Sequence, residues 1–320
     1  MSKLDEKEPP AESAAPVALA AGASGSAPVA AAPSRKPARA RRRLSRSRLM
    51  RELLAGPFIA WIVIFTVVPL ALMFARGFTT KTGEFTLDNI AAIANPVYLK
   101  ALMLALELSV IATVVCLVLA YPLALILRSM KHGSAGAIVF IFVLPMWMNS
   151  LLRTIAWQSL LEKEGVINGL LGALGLPGIS IINTPAAVVL GMVYNYLPFM
   201  VLPLYNALAK IDDDIIDASH DLGAGFWATL RHVLIPQSVA GIVSGITMVF
   251  VPSLTTFVVS DILGGGKVAL IGNLIEQQFT VSYDWNTGAG LSIVLMVFVL
   301  ASMAVMNAFD KSDMASRKVA

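Results

Sequence analysis

The chain has 320 residues, 57% of them hydrophobic and only 14% charged, with a formal net charge of +4, whereas a soluble domain carries roughly 25% charged residues. That balance, with a mean hydropathy of +0.76, excludes an ordinary water-soluble globule and assigns most of the chain to lipid. The single Cys116 excludes a disulfide framework and a thiolate metal site within the chain, and His132, His220 and His232 are scattered without metal-type spacing, so no metal is expected.

Residues 1–34 are rich in Ala, Pro, Ser and Gly and lack apolar periodicity, which predicts disorder, because so little apolar surface cannot offset the entropy of ordering. A basic run follows: Arg35, Lys36, Arg39, Arg41, Arg42, Arg43, Arg46, Arg48 and Arg51. It lies directly before the first apolar block, so topology and contact with anionic lipid explain it better than nucleic acid does. The tail does not resemble a secretory signal, since the basic run comes late and the apolar block is long and without a clear cleavage site. Residues 1–50 are expected to be a disordered basic tail, 51–310 a membrane domain and 311–320 a short second tail.

A helix needs about 20 apolar residues to cross a bilayer core, and six blocks meet that length: roughly 57–76, 101–127, 135–157, 185–205, 238–259 and 288–309. In the first, Trp61 is placed near the interface and Pro69 is expected to break the helix. The stretch 158–184 is too polar and Gly-rich to span; it reads as an outer loop with a short surface helix at Val166 to Leu171. Positive charge gathers on one face: the basic run, Arg128 and Lys131, Lys210 and Arg231, and Lys311, Arg317 and Lys318. The other face keeps only Arg76, Lys81, Lys100, Arg153, Lys163 and Lys267. The side that retains Lys and Arg is normally the cytoplasm, so both termini and the polar segment between spans four and five are expected there.

That segment, about 206–236, has helix grammar. Asp212, Asp213 and Asp214 suit a helix N-terminus, Gly223 suits the break before a second helix, and Asp217 and Asp221 share a face at i,i+4. Ile215, Ile216, Ala218, Ser219 and Leu222 are expected to form one small, mostly apolar face.

The pattern resembles the EAA loop of binding-protein-dependent ABC importer permeases: Glu-Ala-Ala, three residues, Gly, nine residues, Ile, one residue, Leu, Pro. Asp217 stands for the Glu, Ala218 and Ser219 for the two Ala, Gly223 for the Gly, Val233 for the Ile, Ile235 for the Leu, and Pro236 closes it. Further segments, Leu144 to Thr154, Pro203 to Leu208, Ser260 to Ile275 and Tyr283-Asp284-Trp285, are similar to spermidine/putrescine permeases over roughly residues 57–310. The resemblance implies an all-α polytopic protein of the bacterial inner membrane, of the type I ABC importer kind. It also implies that the helix from Asp217 through Asp221 to Ala224 docks on an ATP-binding subunit, and that the chain works with a second permease and an external solute-binding protein. ATP and magnesium would then be bound by the partner ATPase, with no cofactor and no enzymatic activity in this chain.

For a polycationic substrate, carboxylates and aromatic faces are the relevant chemistry. Glu107 lies within the second span, about two turns from its outer end, where a charge costs about 2.5–3.5 kcal/mol on insertion scales; it is either a pathway residue or a snorkelling charge. Trp147, Trp157, Tyr194 and Tyr196 are candidates to line a passage, against the ordinary alternative of packing. Asp261, opening the Gly264-Gly265-Gly266 turn, is preferred as a site residue over Glu276 and Asp284, which read as solvated. Gly264 to Lys267 lacks the frame of a phosphate loop. An ion-coupled secondary transporter would need two repeated halves, which the sequence does not show. Within the importer class, iron, phosphonate or another organic cation are the alternative solutes.

Overall fold

The computed structural model describes residues 56–130 and 132–317; the tail of residues 1–50 with its basic run, and Lys131, lie outside the described residues. Among the described residues the regular structure is helical, apart from one isolated bridge between Thr79 and Phe85. Besides a short helical turn at Asp88–Ala91 that continues as a 3₁₀ turn at Ala92–Ala94, the helices are α1 (Gly56–Gly77), α2 (Pro96–Ser129), α3 (His132–Val143), α4 (Ser150–Leu161), α5 (Val166–Ala173), α6 (Pro185–Leu208), α7 (Asp213–Asp221), α8 (Phe226–Thr255), α9 (Val258–Gly264), α10 (Ile271–Thr280) and α11 (Trp285–Arg317). Five of them, α1, α2, α6, α8 and the Trp285–Ala308 part of α11, are long and apolar enough to cross a membrane.

The expected third span, 135–157, is not one straight helix. Gly136–Trp147 and Ser150–Ala173 meet at 91°. A 3₁₀ turn at Leu144–Trp147 opens on Pro145, and the Asn149 side chain then accepts the Leu151 N–H at 2.9 Å and starts α4 afresh. Proline removes a donor and the Asn offers the backbone a competing acceptor, so the helix restarts in a new direction. The short helix expected at 166–171 is present as α5.

The expectation that Pro69 breaks the first span is also corrected. The helix runs on through it, because a π-turn at Val63–Val67 widens the backbone just ahead of the ring. The same device recurs at Leu230–Leu234 ahead of Pro236, so α8 starts at Phe226, well before the expected boundary of 238.

The core is a three-helix packing of α2, α6 and α8, with α11 set against α1 and α8. Small side chains permit it. Ala112, Cys116, Ala120 and Ala124 recur every four residues along α2 and are all fully buried, the small-residue stripe by which membrane helices approach closely. Cys116 belongs to that stripe, its Sγ 3.8 Å from the Val193 carbonyl, which makes it a packing residue. On α8 the stripe is Gly241 and Gly245. A Cβ at Gly241 would stand 2.5 Å from the Ala207 Cβ and 2.8 Å from the Pro203 oxygen, both on α6.

A Gly241→Val variant is therefore expected to lose about 1–3 kcal/mol by overpacking, read as a lower melting temperature of the detergent-solubilised chain. Gly172→Ala, where no atom lies within 4 Å of the new carbon, is expected to leave it unchanged.

Candidate functional site

The hairpin at the α6–α8 end of the bundle is built by local rules. Asp212 is extended at ψ 136° and its carboxylate accepts the Asp214 N–H at 3.3 Å, while Asp213 and Asp214 lie against the positive end of α7. At the other end Gly223 takes φ +82°. Its N–H reaches the His220 carbonyl at 2.8 Å and the Ala224 N–H reaches Ser219 at 3.0 Å. These are the paired bonds of a Schellman cap, which a left-handed glycine allows at little cost. His220 Nδ1 bonds the Ala224 carbonyl at 3.0 Å and tightens the same turn.

α7 does not present one uniform face. Ile216 and Ser219 turn inward: Ile216 packs on the core near Leu208 and Ile211, and Ser219 Oγ lies 3.0 Å from Thr229 Oγ1 at the foot of α8. Asp217, Ala218 and Asp221 are exposed. Beside them stand Leu222, 90% exposed, Phe226 and Trp227, the last two ring against ring at 5.4 Å. The outer surface is thus acidic along α7 and apolar and aromatic at its tip. Phe226 and Trp227 were missed as site residues; the available signal was two aromatic side chains beside a helix-stopping glycine in an otherwise polar segment.

Arg128 was also missed, since the sequence presented it only as a topological charge. It ends α2 and holds the hairpin to the bundle. Its Nε donates to the Leu208 carbonyl at 2.9 Å, and Nη2 donates to the Ile211 carbonyl at 2.9 Å and to Asp213 Oδ1 at 2.7 Å. The guanidinium side chain is only 16% exposed, but Asp213 is 86% exposed, so the carbonyl bonds outweigh the ion pair energetically.

The proposed pathway residues do not converge. Glu107 is exposed and borders a groove of about 540 Å³ between α2 and α6, level with Pro185 and Ala186 in the first turn of α6, and pairs with no cation among the described residues. Tyr194 stands edge-on to Trp157 at 5.3 Å and lines a different cavity. The Tyr196 hydroxyl points to the Pro252 carbonyl at 3.4 Å. Trp147, 80% exposed, sits on the elbow beside Phe140. Asp261 is exposed in α9, which ends in the left-handed Gly265 and Gly266. Of the two carboxylates read as solvated, neither is free in water. Glu276 is half-buried in the wall of a cavity of about 530 Å³ lined also by Phe257, Phe279, Thr280 and Met296, and accepts the Thr280 hydroxyl at 2.9 Å. Asp284 caps α11, accepting the Thr287 N–H and hydroxyl at 3.3 Å each, with Lys81 at 3.6 Å. Arg153, counted among outer charges, is instead buried at 9% exposure.

Residues 44–312 match the family described as binding-protein-dependent transport system inner membrane component. The chain belongs to that family. Among its relatives is a "Spermidine/putrescine transport system permease protein PotB" of Haemophilus influenzae, 35% identical over 269 residues, covering 81% of this chain and 93% of the relative. A protein of the same name from Escherichia coli is 38% identical over 247 residues, 75% and 90% of the two chains. A chain in the crystal structure of a bacterial ABC transporter involved in the import of the acidic polysaccharide alginate superposes with a TM-score of 0.69, at 17% identity over 83% of this chain and 98% of that one. That likeness establishes the fold, all-α with the importer permease architecture. The chain is therefore an inner-membrane transport permease.

Replacing Arg128 by Ala is expected to free the hairpin: amide exchange across 212–224 should accelerate and the melting temperature fall by the equivalent of about 1.5–3 kcal/mol. Asp213→Asn is expected to change stability by no more than about 1 kcal/mol.

Proposed function

We propose that this permease is the membrane subunit of an ATP-driven importer, and that α7 with the Leu222, Phe226 and Trp227 tip is the contact through which a separate ATP-hydrolysing subunit moves the spans. The observation that carries the reading is that hairpin. It is rigidly capped, clamped to α2, α6 and α8, and yet offers water a tip of large apolar side chains that stability gives no reason to expose. A lever needs both properties: a rigid joint to the bundle and an adhesive outer surface. The membrane domain is 51–310 with the lever at about 206–236, and both termini and the lever lie on the cytoplasmic side by the distribution of Lys and Arg. A second permease chain and an external binding protein complete the machine, and ATP and magnesium are held by the ATPase, not here.

The substrate is a polyamine such as putrescine or spermidine. The names of the relatives support this, and so does the chemistry of two grooves. Glu276 beside Phe257 and Phe279 offers a carboxylate and aromatic faces, the pairing that holds an ammonium group. Glu107 offers a second carboxylate near the outer rim.

The test is ATP hydrolysis by the reconstituted complex with and without binding protein loaded with putrescine or spermidine. Wild type is expected to be stimulated. Leu222→Glu and Trp227→Glu are expected to lose that stimulation while inserting normally, because a charge on the apolar tip has to be desolvated on docking. Stimulation by another solute alone would remove the polyamine and leave the lever standing. Full stimulation in both variants would remove the lever.

In the same assay Glu276→Gln is expected to raise the polyamine concentration needed for half-maximal stimulation by about tenfold, the loss of roughly one charge-assisted contact, with ATP hydrolysis in the absence of substrate unchanged.

A further inference from the structure

Arg153 is a buried residue whose side chain has no hydrogen-bond or carboxylate partner among the described residues. The residue is 9% exposed, its Nε has no hydrogen-bond partner among the described residues, and no described carboxylate pairs with it. It borders a cavity of about 330 Å³ under the elbow of α3 and α4, lined also by Phe142, Pro145, Tyr194 and Pro198. Tyr194 and Pro198 lie near the middle of Pro185–Leu208, so at 1.5 Å per residue the cavity is roughly 14–21 Å from either end of that helix. A lipid phosphate stays near the ends of a spanning helix and does not reach this depth. A polyamine has the wrong sign.

A cation at such a depth in a membrane is a costly placement, and it persists where an opposite charge or water meets it. The rim shows what kind of surface meets this one. Phe140, Ile141, Leu144, Leu151 and Leu152 are all exposed around the elbow, which suits the side of another helix, while the cavity floor asks for one acid. The 91° bend is what opens the recess between them.

We propose that the elbow of α3 and α4 is an interface with the second permease chain, and that an Asp or Glu side chain of that chain enters the cavity and pairs with Arg153. This rests on the pairing of two permeases proposed above. Arg153 is then a positive key for one particular neighbour. Its own chain carries an uncompensated charge until that neighbour arrives, so isolated and assembled protein respond to its removal with opposite sign.

The experiment co-expresses the full chain with its second permease, recovers the pair from detergent through a tag on this chain, and quantifies the second permease by mass spectrometry. Arg153→Lys is expected to recover most of it, whereas Arg153→Met and Arg153→Glu lower recovery by about tenfold or more. Exchanging the matching acid of the second chain for Arg is expected to restore assembly with Arg153→Glu. The isolated Arg153→Met chain is expected to melt no lower than wild type, since an unpaired buried charge has been removed. Undiminished recovery with Met and Glu overturns the inference and leaves the pairing of permeases intact. A lower melting temperature of the isolated Met variant also overturns it, because Arg153 would then serve its own fold. If no second permease accompanies wild type, the pairing falls and the inference with it.

Discussion

A backbone carbonyl or amide that faces hydrocarbon has no water to bond with, and most of this molecule follows from that constraint. Each place where a helix ends has to bring its own partner. α1 ends against Asn89 and Asn286, whose side-chain amides donate to the carbonyls of Gly77, Arg76 and Thr79. α6 ends against Arg128, which donates to Leu208 and Ile211. α9 and α10 share Asn273: its Oδ1 accepts from Ser260 and the Leu270 N–H, and its Nδ2 donates to Phe257. These polar side chains are structural solder, and each joins an element that ends to one that continues.

The same constraint explains the prolines. A ring inside a helix removes one donor and crowds the preceding turn. Ahead of two of the prolines a local widening keeps the remaining bonds, whereas Pro122, Pro198, Pro203 and Pro252 lie inside plain α-helix. The π-turns ahead of Pro69 and Pro236 are that widening. At Pro145 the outcome differs because Asn149 supplies a ready-made cap four residues later, and a new helix starts at an angle. The π-turn ahead of Pro236 keeps Phe226–Thr255 one continuous helix, whereas at the Pro145 elbow the two helices meet at 91°.

Close packing links the two ends. The stripe of Ala112, Cys116, Ala120 and Ala124 and the glycines at 241 and 245 let α2, α6 and α8 approach to backbone distance. Packing this tight moves as a body. Arg128 ties the start of α7 to the ends of α2 and α6 at once.

The sequence by itself determined the membrane class, the number and approximate place of the apolar blocks, and the helix, glycine, helix, proline order of the segment 206–236. These depend on local quantities: run length, the left-handed preference at Gly223, the acids at Asp212 to Asp214. Only the tertiary structure decided which charges are partnered. Arg128 looked like loop charge because its acceptors lie about eighty residues away, and Arg153 looked like an outer charge although it is buried beside a cavity lined by residues of α3 and α6. Glu276 and Asp284 read alike as solvated acids, yet one lines a groove and the other caps a helix. Burial and partnership are sums over distant segments, and no window along the chain contains them.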